Sequence, residues 1–439
     1  MRLANRKTSE EDKLIFGFLQ LPPALKSLNF CCYVIGASAS FFGTWMTQIA
    51  LVWLVYQLTN SPLLVGISGF TNQASSLVLT PLAGVLLDRW NLRRVLLTTQ
   101  IISILLSLTL TFLTVSSKIT VEAIIVIGIL QGTVKAFDLP ARQVLIPRIV
   151  ERKGDTYSAI AFHSLMINTA KFVSPMVAGL VIARSGSGSC FLIDSVSYLS
   201  LIFALIVIKI NPVPHKSSTQ KAQILKNLKE GFIYAYEFIP IKTVLILLSL
   251  VCFMAMTHVN LMPIFAKEIL SGNAETMGFL LTASAFGSLT AGLYLVQRQR
   301  VTGLGKIMAR STAFLGLALI VFSQSTRLEI CLIIIFLIGL SMTLTLASIS
   351  NFVQLVIVEE DKRGRLTSLF TMGFLGILPI GNLFFGGLAN QIGVTNALVF
   401  GGTFCVIGSY FFARQLPTLR KIVYPIYEKM GLIPPSYEG

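Results

Sequence analysis

Twelve apolar runs of about 20 residues, the length that crosses ~30 Å of hydrocarbon, account for most of this 439-residue chain. They fall near 29–57, 62–87, 94–115, 120–146, 156–183 and 189–210, then near 243–267, 274–297, 306–322, 328–358, 365–391 and 394–414. With 54% hydrophobic and only 12% charged residues, a membrane must supply most of the solvent. The expected class is an all-α membrane protein with twelve transmembrane helices.

Net charge is +16, and its placement argues for membrane topology rather than nucleic acid. Of the 35 Lys and Arg, 29 lie in the termini and even-numbered loops, four (Lys118, Arg184, Lys267, Arg327) lie in odd loops, and Lys135 and Lys171 lie inside helices. The positive-inside rule then puts both termini in the cytoplasm, and the expected location is the bacterial inner membrane. The start, Met1 to Lys26, mixes acids and bases and shows no pattern of a cleaved leader. Six cysteines sit in or beside apolar runs without disulfide or zinc spacing and read as small buried hydrophobes, so no cofactor and no metal are expected.

The longest polar stretch divides the chain. Residues 1–28 read as a cytoplasmic segment, 29–210 as one six-helix half, 211–242 as a cytoplasmic linker with an amphipathic helix, 243–414 as the second half and 415–439 as a cytoplasmic tail. Two features recur 204 residues apart: Arg94 and Arg298 close basic turns, and Pro175 and Pro379 are read as helix breaks. Parallel repeats of this kind build a central cavity between halves.

Gly84, Asp88, Arg89, Trp90, Asn91, Arg93 and Arg94 stand where helix two turns into helix three. This segment resembles the major facilitator signature, with Asn91 where the turn glycine is usual. Asparagine is the residue next best suited to positive φ. The resemblance implies a latch: Asp88 faces the positive N-terminus of helix eleven near Gly364, or Arg142, and releases when the cytoplasmic side opens. The bland alternative is a solvated Asp88 beside Arg89 or Arg93. Thr44 to Ala50, Leu54 to Thr59, Ala136 to Gln143, Pro263 to Ala266 and Arg363 to Pro379 are similar to one branch, the transmembrane secretion effector family, which includes enterobactin exporters and macrolide efflux proteins. Ser174, Pro175, Ala178 and Gly179 resemble the helix-five motif of antiporter-type facilitators, with serine in place of a usual glycine. Their small side chains are expected to pack on Ser284, Ala285, Gly287 and Ser288 of helix eight.

Ionisable groups inside crossings are functional candidates by default. Lys171 is a candidate for binding an anionic or phenolate group, or else a structural pair with Asp194 or a snorkelling lysine. His258 is either a proton relay or a packing histidine. Gln48, Gln131 and Asn260 line a cavity or tie helices together. Asp138, before Leu139 and Pro140, caps a restarted helix four or carries protons. An enzyme would need a catalytic constellation, and the three histidines have no metal spacing. The expected function is alternating-access, proton-coupled export of an amphiphilic small molecule, siderophore or drug, by an antiporter working as a monomer among membrane lipids. The alternative is a lipid or metabolite carrier of the same fold.

Overall fold

The computed structural model describes residues 23–87, 90–210, 238–298, 302–356 and 360–430, with only the backbone path for most of 360–375. Among these residues each apolar run is helical. The first half comprises α1 (Leu28–Thr59), α2 (Pro62–Leu87), α3 (Leu92–Val115), α4 (Val121–Ile149), α5 (Thr156–Ser185) and α6 (Ser187–Val207). The second comprises α7 (Ile239–Ile269), α8 (Ala274–Gln297), α9 (Leu304–Gln324) and α10 (Leu328–Val356). It ends with one long element, Glu360–Lys429, that Gly393 (φ 84°, ψ 158°) divides into α11 (360–392) and α12 (394–429).

Ten stretches among the described residues are long and apolar enough to cross a membrane. α2 is not one of them, because Gly66, Ser68, Gly69, Thr71, Asn72, Gln73, Ser75 and Ser76 dilute its apolar character. That composition suits a helix whose neighbours are other helices and a polar cleft rather than lipid.

Local chemistry explains the helix ends, and it corrects three expectations. Asn91 does not take positive φ; at φ −68° it is the N-cap of α3, its Oδ1 accepting the Arg94 amide at 3.3 Å. α4 runs unbroken through Pro140, so Asp138 caps nothing. Pro175 and Pro379 likewise lie inside continuous helix; neighbouring helices supply the packing that tolerates a missing amide in a membrane. The break appears instead in α7, where Ala255–Thr257 leave the helix, His258–Ile264 resume it, and a π-turn follows at Phe265–Ile269. Pro263, which has no amide to donate, stands just before that π-turn. α12 continues beyond 414 as helix to Lys429. The linker expected at 211–242 lies outside the described residues up to 237, and α7 begins at Ile239.

Both described chain ends lie on one face of the bundle, here the terminal face. There Ser27 Oγ donates to the Ile149 carbonyl at 3.2 Å, the Arg93 guanidinium donates to the Ile208 carbonyl, and Thr243 Oγ1 donates to Gln415 at 2.9 Å. The apolar core is forked. Away from the terminal face one cluster joins both halves, with Met46, Trp53 and Phe191 packed in the same body as Phe265, Phe322 and Phe385. Towards the terminal face it divides into a cluster of first-half residues, including Phe30, Leu96 and Leu145, and one of second-half residues, including Val244, Met308 and Phe352.

Candidate functional site

The fork encloses a cleft, and two helix pairs define its walls: α2 with α11, and α5 with α8. Both pairs touch through backbone away from the terminal face. A Cβ on Gly66 would stand 3.0 Å from Gly386 Cα, and one on Gly179 would stand 2.7 Å from the Ala274 carbonyl oxygen and 3.0 Å from Gly278 Cα. Small residues permit such approach. Polar contacts tie the same end. The Tyr56 hydroxyl donates to Glu268, Lys267 Nζ donates to Asn60 Oδ1 at 2.8 Å and lies 5.4 Å from the Tyr56 ring centre, and Ser61 Oγ donates to Asn390 at 3.4 Å.

Contact then weakens with depth. Asn382 donates to Gln73 at 3.4 Å, and the Phe172 and Phe286 rings are 5.8 Å apart. Further along the same face of α2, Gly84 has no heavy atom of the described residues within 4 Å of where a Cβ would stand. Asp88 and Arg89 lie outside the described residues, as do the features of α11 around Gly364 beyond its backbone path. Arg94 is exposed at the start of α3, and Arg93 is engaged on α6 as above.

Helical register places Lys171 in the cleft. It precedes Pro175, Ala178 and Ile182 by four, seven and eleven residues, so all four share one face of α5. Pro175, Ala178 and Ile182 are buried on the sealed side, whereas Ser164, Asn168 and Lys171 on the same stripe are exposed. The seam therefore ends just before Lys171, whose ammonium lies 5.0 Å from the Trp45 ring centre, a cation–π contact. Gln48, one turn from Trp45 on α1, is half-buried, and so is Gln131 on α4. Ser174 is buried and donates to the Phe42 carbonyl of α1 at 3.2 Å. The expected partner residues on α8 are corrected: a Cβ on Gly287 would strike the Phe336 carbonyl, and one on Gly339 the Ser284 carbonyl, so this small-residue face of α8 serves α10. Gly278 serves α5.

Lys171 and Asp194 are not paired. Asp194 is fully buried in α6; its Oδ2 accepts from Ser107 at 2.9 Å, and its Oδ1 has no hydrogen-bond partner among the described residues. Asp138 and Arg142 form the one ion pair among the described residues, at 2.6 Å and one helical turn apart. Asp138 also accepts from Thr99 at 3.0 Å and Gln100 at 2.7 Å, while Arg142 donates to Ser40 at 3.1 Å and Gln100 at 3.3 Å and stacks 4.7 Å from the Phe41 ring centre. Arg142 is thus held inside the first half. His258 is buried, with Nδ1 2.6 Å from the Ala255 carbonyl at the α7 break and Nε2 unpartnered among the described residues. Asn260 and Asn382 both approach Gly69, their Nδ2 atoms 3.0 and 3.4 Å from where its Cβ would stand.

Sequence reasoning missed several members of this set. Lys135 donates to Asn72 at 3.2 Å across α4 and α2. It shares one stripe of α4 with Gln131, Asp138 and Arg142, a spacing visible in the sequence. Trp45, Gln73 and Asn382 carry no such signal, since only the meeting of helices gives them their role.

Two six-helix halves, fused at one end and parted at the other around a cleft with buried charge, are the architecture of a major facilitator transporter. The chain belongs to the transmembrane secretion effector family, whose model matches residues 23–422. It is 26% identical to the staphyloferrin A transporter of Staphylococcus aureus over 85% of this chain and 94% of that protein. It is also 26% identical to the multidrug efflux pump Tap of Mycolicibacterium fortuitum over 80% and 87%, and 20% identical to macrolide efflux protein A of Streptococcus pyogenes over 86% and 94%. Among solved structures, a bacterial homologue of the lysosomal transporter Spinster superposes with a TM-score of 0.69 at 12% identity, covering 93% of this chain and 99% of that one. The nucleoside transporter NupG gives 0.64 at 16%, covering 89% and 99%. These likenesses carry the fold alone. Family and fold are those of transporters, not of enzymes.

Proposed function

We propose that the chain exports an amphiphilic small molecule of the siderophore or drug class by alternating access, in exchange for protons, from a bacterial inner membrane in which it works as a monomer with both termini cytoplasmic. The observation that carries this reading is the cleft, sealed by α2–α11 and α5–α8 contacts at one end and, among the described residues, open from Lys171 and Gly84 towards the terminal face. With that face in the cytoplasm, as the basic loops favour, the cleft is in its loading state. Lys171 beside Trp45 offers a cation and an aromatic plane to a substrate bearing an anionic or phenolate group and a ring. The names of the relatives support the same substrate classes.

The latch is part of this proposal: Asp88 bonds to the N-terminus of α11 when the terminal face closes. Proton carriage falls to carboxylates of the first half, half-buried Asp138 and buried Asp194, rather than to α1, which contains no acid. The test is accumulation of labelled siderophore and drug candidates in cells with and without the protein, each with and without an uncoupler. Lower accumulation that the uncoupler abolishes is the expected result; equal accumulation across all candidates refutes it.

A further inference from the structure

Charge inside a membrane bundle is costly unless something balances it. Among the described residues, the helix interiors of the first half hold three bases, Lys135, Arg142 and Lys171, and two acids, Asp138 and Asp194. Arg142 and Asp138 neutralise each other at 2.6 Å. Asp194 is fully buried against Ser107 and forms no ion pair with either lysine among the described residues. The facing half supplies no counter-charge at this depth. Its helices carry Glu268, Glu275, Glu329, Glu360, Asp361 and Glu428, each within one residue of a helix end.

The two lysines left over stand at one level. Lys135 is the central residue of α4 (Val121–Ile149), and Lys171 lies within one residue of the centre of α5 (Thr156–Ser185). Exposed Val126, Ile129 and Leu130 occupy the face of α4 opposite Lys135, as side chains do against lipid. Lys135 turns instead towards α2, where its Nζ donates to Asn72 Oδ1 at 3.2 Å, and Asn72 Nδ2 donates in turn to the Gly128 carbonyl at 3.3 Å. That bond uses one of the three N–H groups of an ammonium. Lys135 is only half-buried, so its remaining donors face the cleft. Lys171 is exposed in the same cleft, where its contact among the described residues is the Trp45 ring.

We propose that the exported molecule is a dianion, one carboxylate or phenolate binding Lys171 beside the Trp45 ring and a second binding Lys135, which Asn72 positions. This rests on the export reading above and narrows it, because a single anionic group neutralises one lysine and a cationic drug neither. The test is equilibrium binding to the full-length protein in phosphatidylcholine nanodiscs, read by fluorescence anisotropy. Its probes are a dansyl-labelled citrate amide with two free carboxylates, its monomethyl ester, its dimethyl ester, and the cation ethidium. The wild type is expected to bind the dicarboxylate at least about tenfold tighter than the monoester, the scale of one hydrogen-bonded charge. Lys135→Gln should bind those two alike, Lys135→Arg should restore the preference, and Lys171→Met should weaken both. Equal binding of dicarboxylate and monoester by the wild type overturns the proposal, as does a preference unchanged in Lys135→Gln. A preference lost equally in Lys135→Gln and Lys135→Arg also overturns it, by making the lysine a packing element. Tight ethidium binding with no rank among the citrate probes sinks the dianion and leaves the export reading standing. Failure of all four probes to bind, with equal accumulation in the cell assay, sinks both.

Discussion

The two halves share a fold but not an interior. In the first, α4 carries Asp138 and Arg142 into a network with Ser40, Thr99 and Gln100, and Asp194 and Lys135 lie buried or half-buried nearby. In the second, α10 occupies the matching place, and Thr345 is buried on it. Its neighbours are hydroxyls: Thr345 meets Ser311 at 2.6 Å and Thr312 at 3.4 Å, and Ser409 donates to the Ala309 carbonyl at 2.6 Å. A hydroxyl pair in a membrane bundle costs little to bury, whereas an ion pair carries a desolvation penalty of several kcal/mol per ion. Two similar scaffolds therefore differ in one expensive feature. Among the described residues, the buried ion pair belongs to the first half, and the proposed export assigns its charge chemistry there.

The comparison breaks most visibly at Arg142. Arg142→Met strands a buried carboxylate, a loss of about 3–5 kcal/mol, and both abundance in the membrane and transport should collapse. Adding Asp138→Leu should restore abundance but not transport; measuring the two readouts separately tests whether the pair is functional or structural, since recovery of both makes it structural.

Next in size is Lys171. Lys171→Met should leave abundance near wild type, because the side chain faces the cleft and bonds no acid, while export of anionic substrates falls by at least about tenfold, equivalent to ~1.4 kcal/mol. Lys171→Arg keeps the cation over Trp45 and should retain much of the activity. Full export by Lys171→Met removes it from the site. The Asp194→Asn background sharpens the point: since the two are not paired, it should not alter the Lys171→Met phenotype.

The smallest effect is expected in the second half. Thr345→Val and Ser311→Ala each remove hydroxyl bonds worth about 0.5–1.5 kcal/mol, visible as a modest drop in thermal stability with transport intact. Loss of transport in a well-folded Thr345→Val protein would erase the asymmetry between the halves.

How legible all this was depended on the range of the interaction. Apolar runs announced the helices because each crossing is a local property of some 20 residues. The ionisable residues Asp138, Lys171, Asp194 and His258 stood out for the same reason, as charge or polarity inside such a run, whereas Arg142, counted as a loop base and a latch partner, is buried inside α4. Their partners did not. Ser40, Thr99 and Gln100 are ordinary residues alone and become a network only when α1, α3 and α4 converge. α8 shows the same limit: it has small residues on two faces, and spacing could not tell which face meets α5 and which meets α10. The α7 break at Ala255–Thr257 has no local proline or glycine to announce it, whereas the prolines at 140, 175 and 379, which looked like breaks, are accommodated by their neighbours.

Gly393 joins α11 to α12 through one residue at positive φ, with no spare chain between them. In mechanical terms this is a rigid elbow between a gate post and a long lever. If α11 tilts as the cleft changes face, α12 has no slack in which to absorb the tilt, and its far end, about 54 Å from the elbow, sweeps through a wider arc than the post itself. A label on the tail around Leu419 to Tyr427, outside the proposed pathway, would report whether α12 moves with α11.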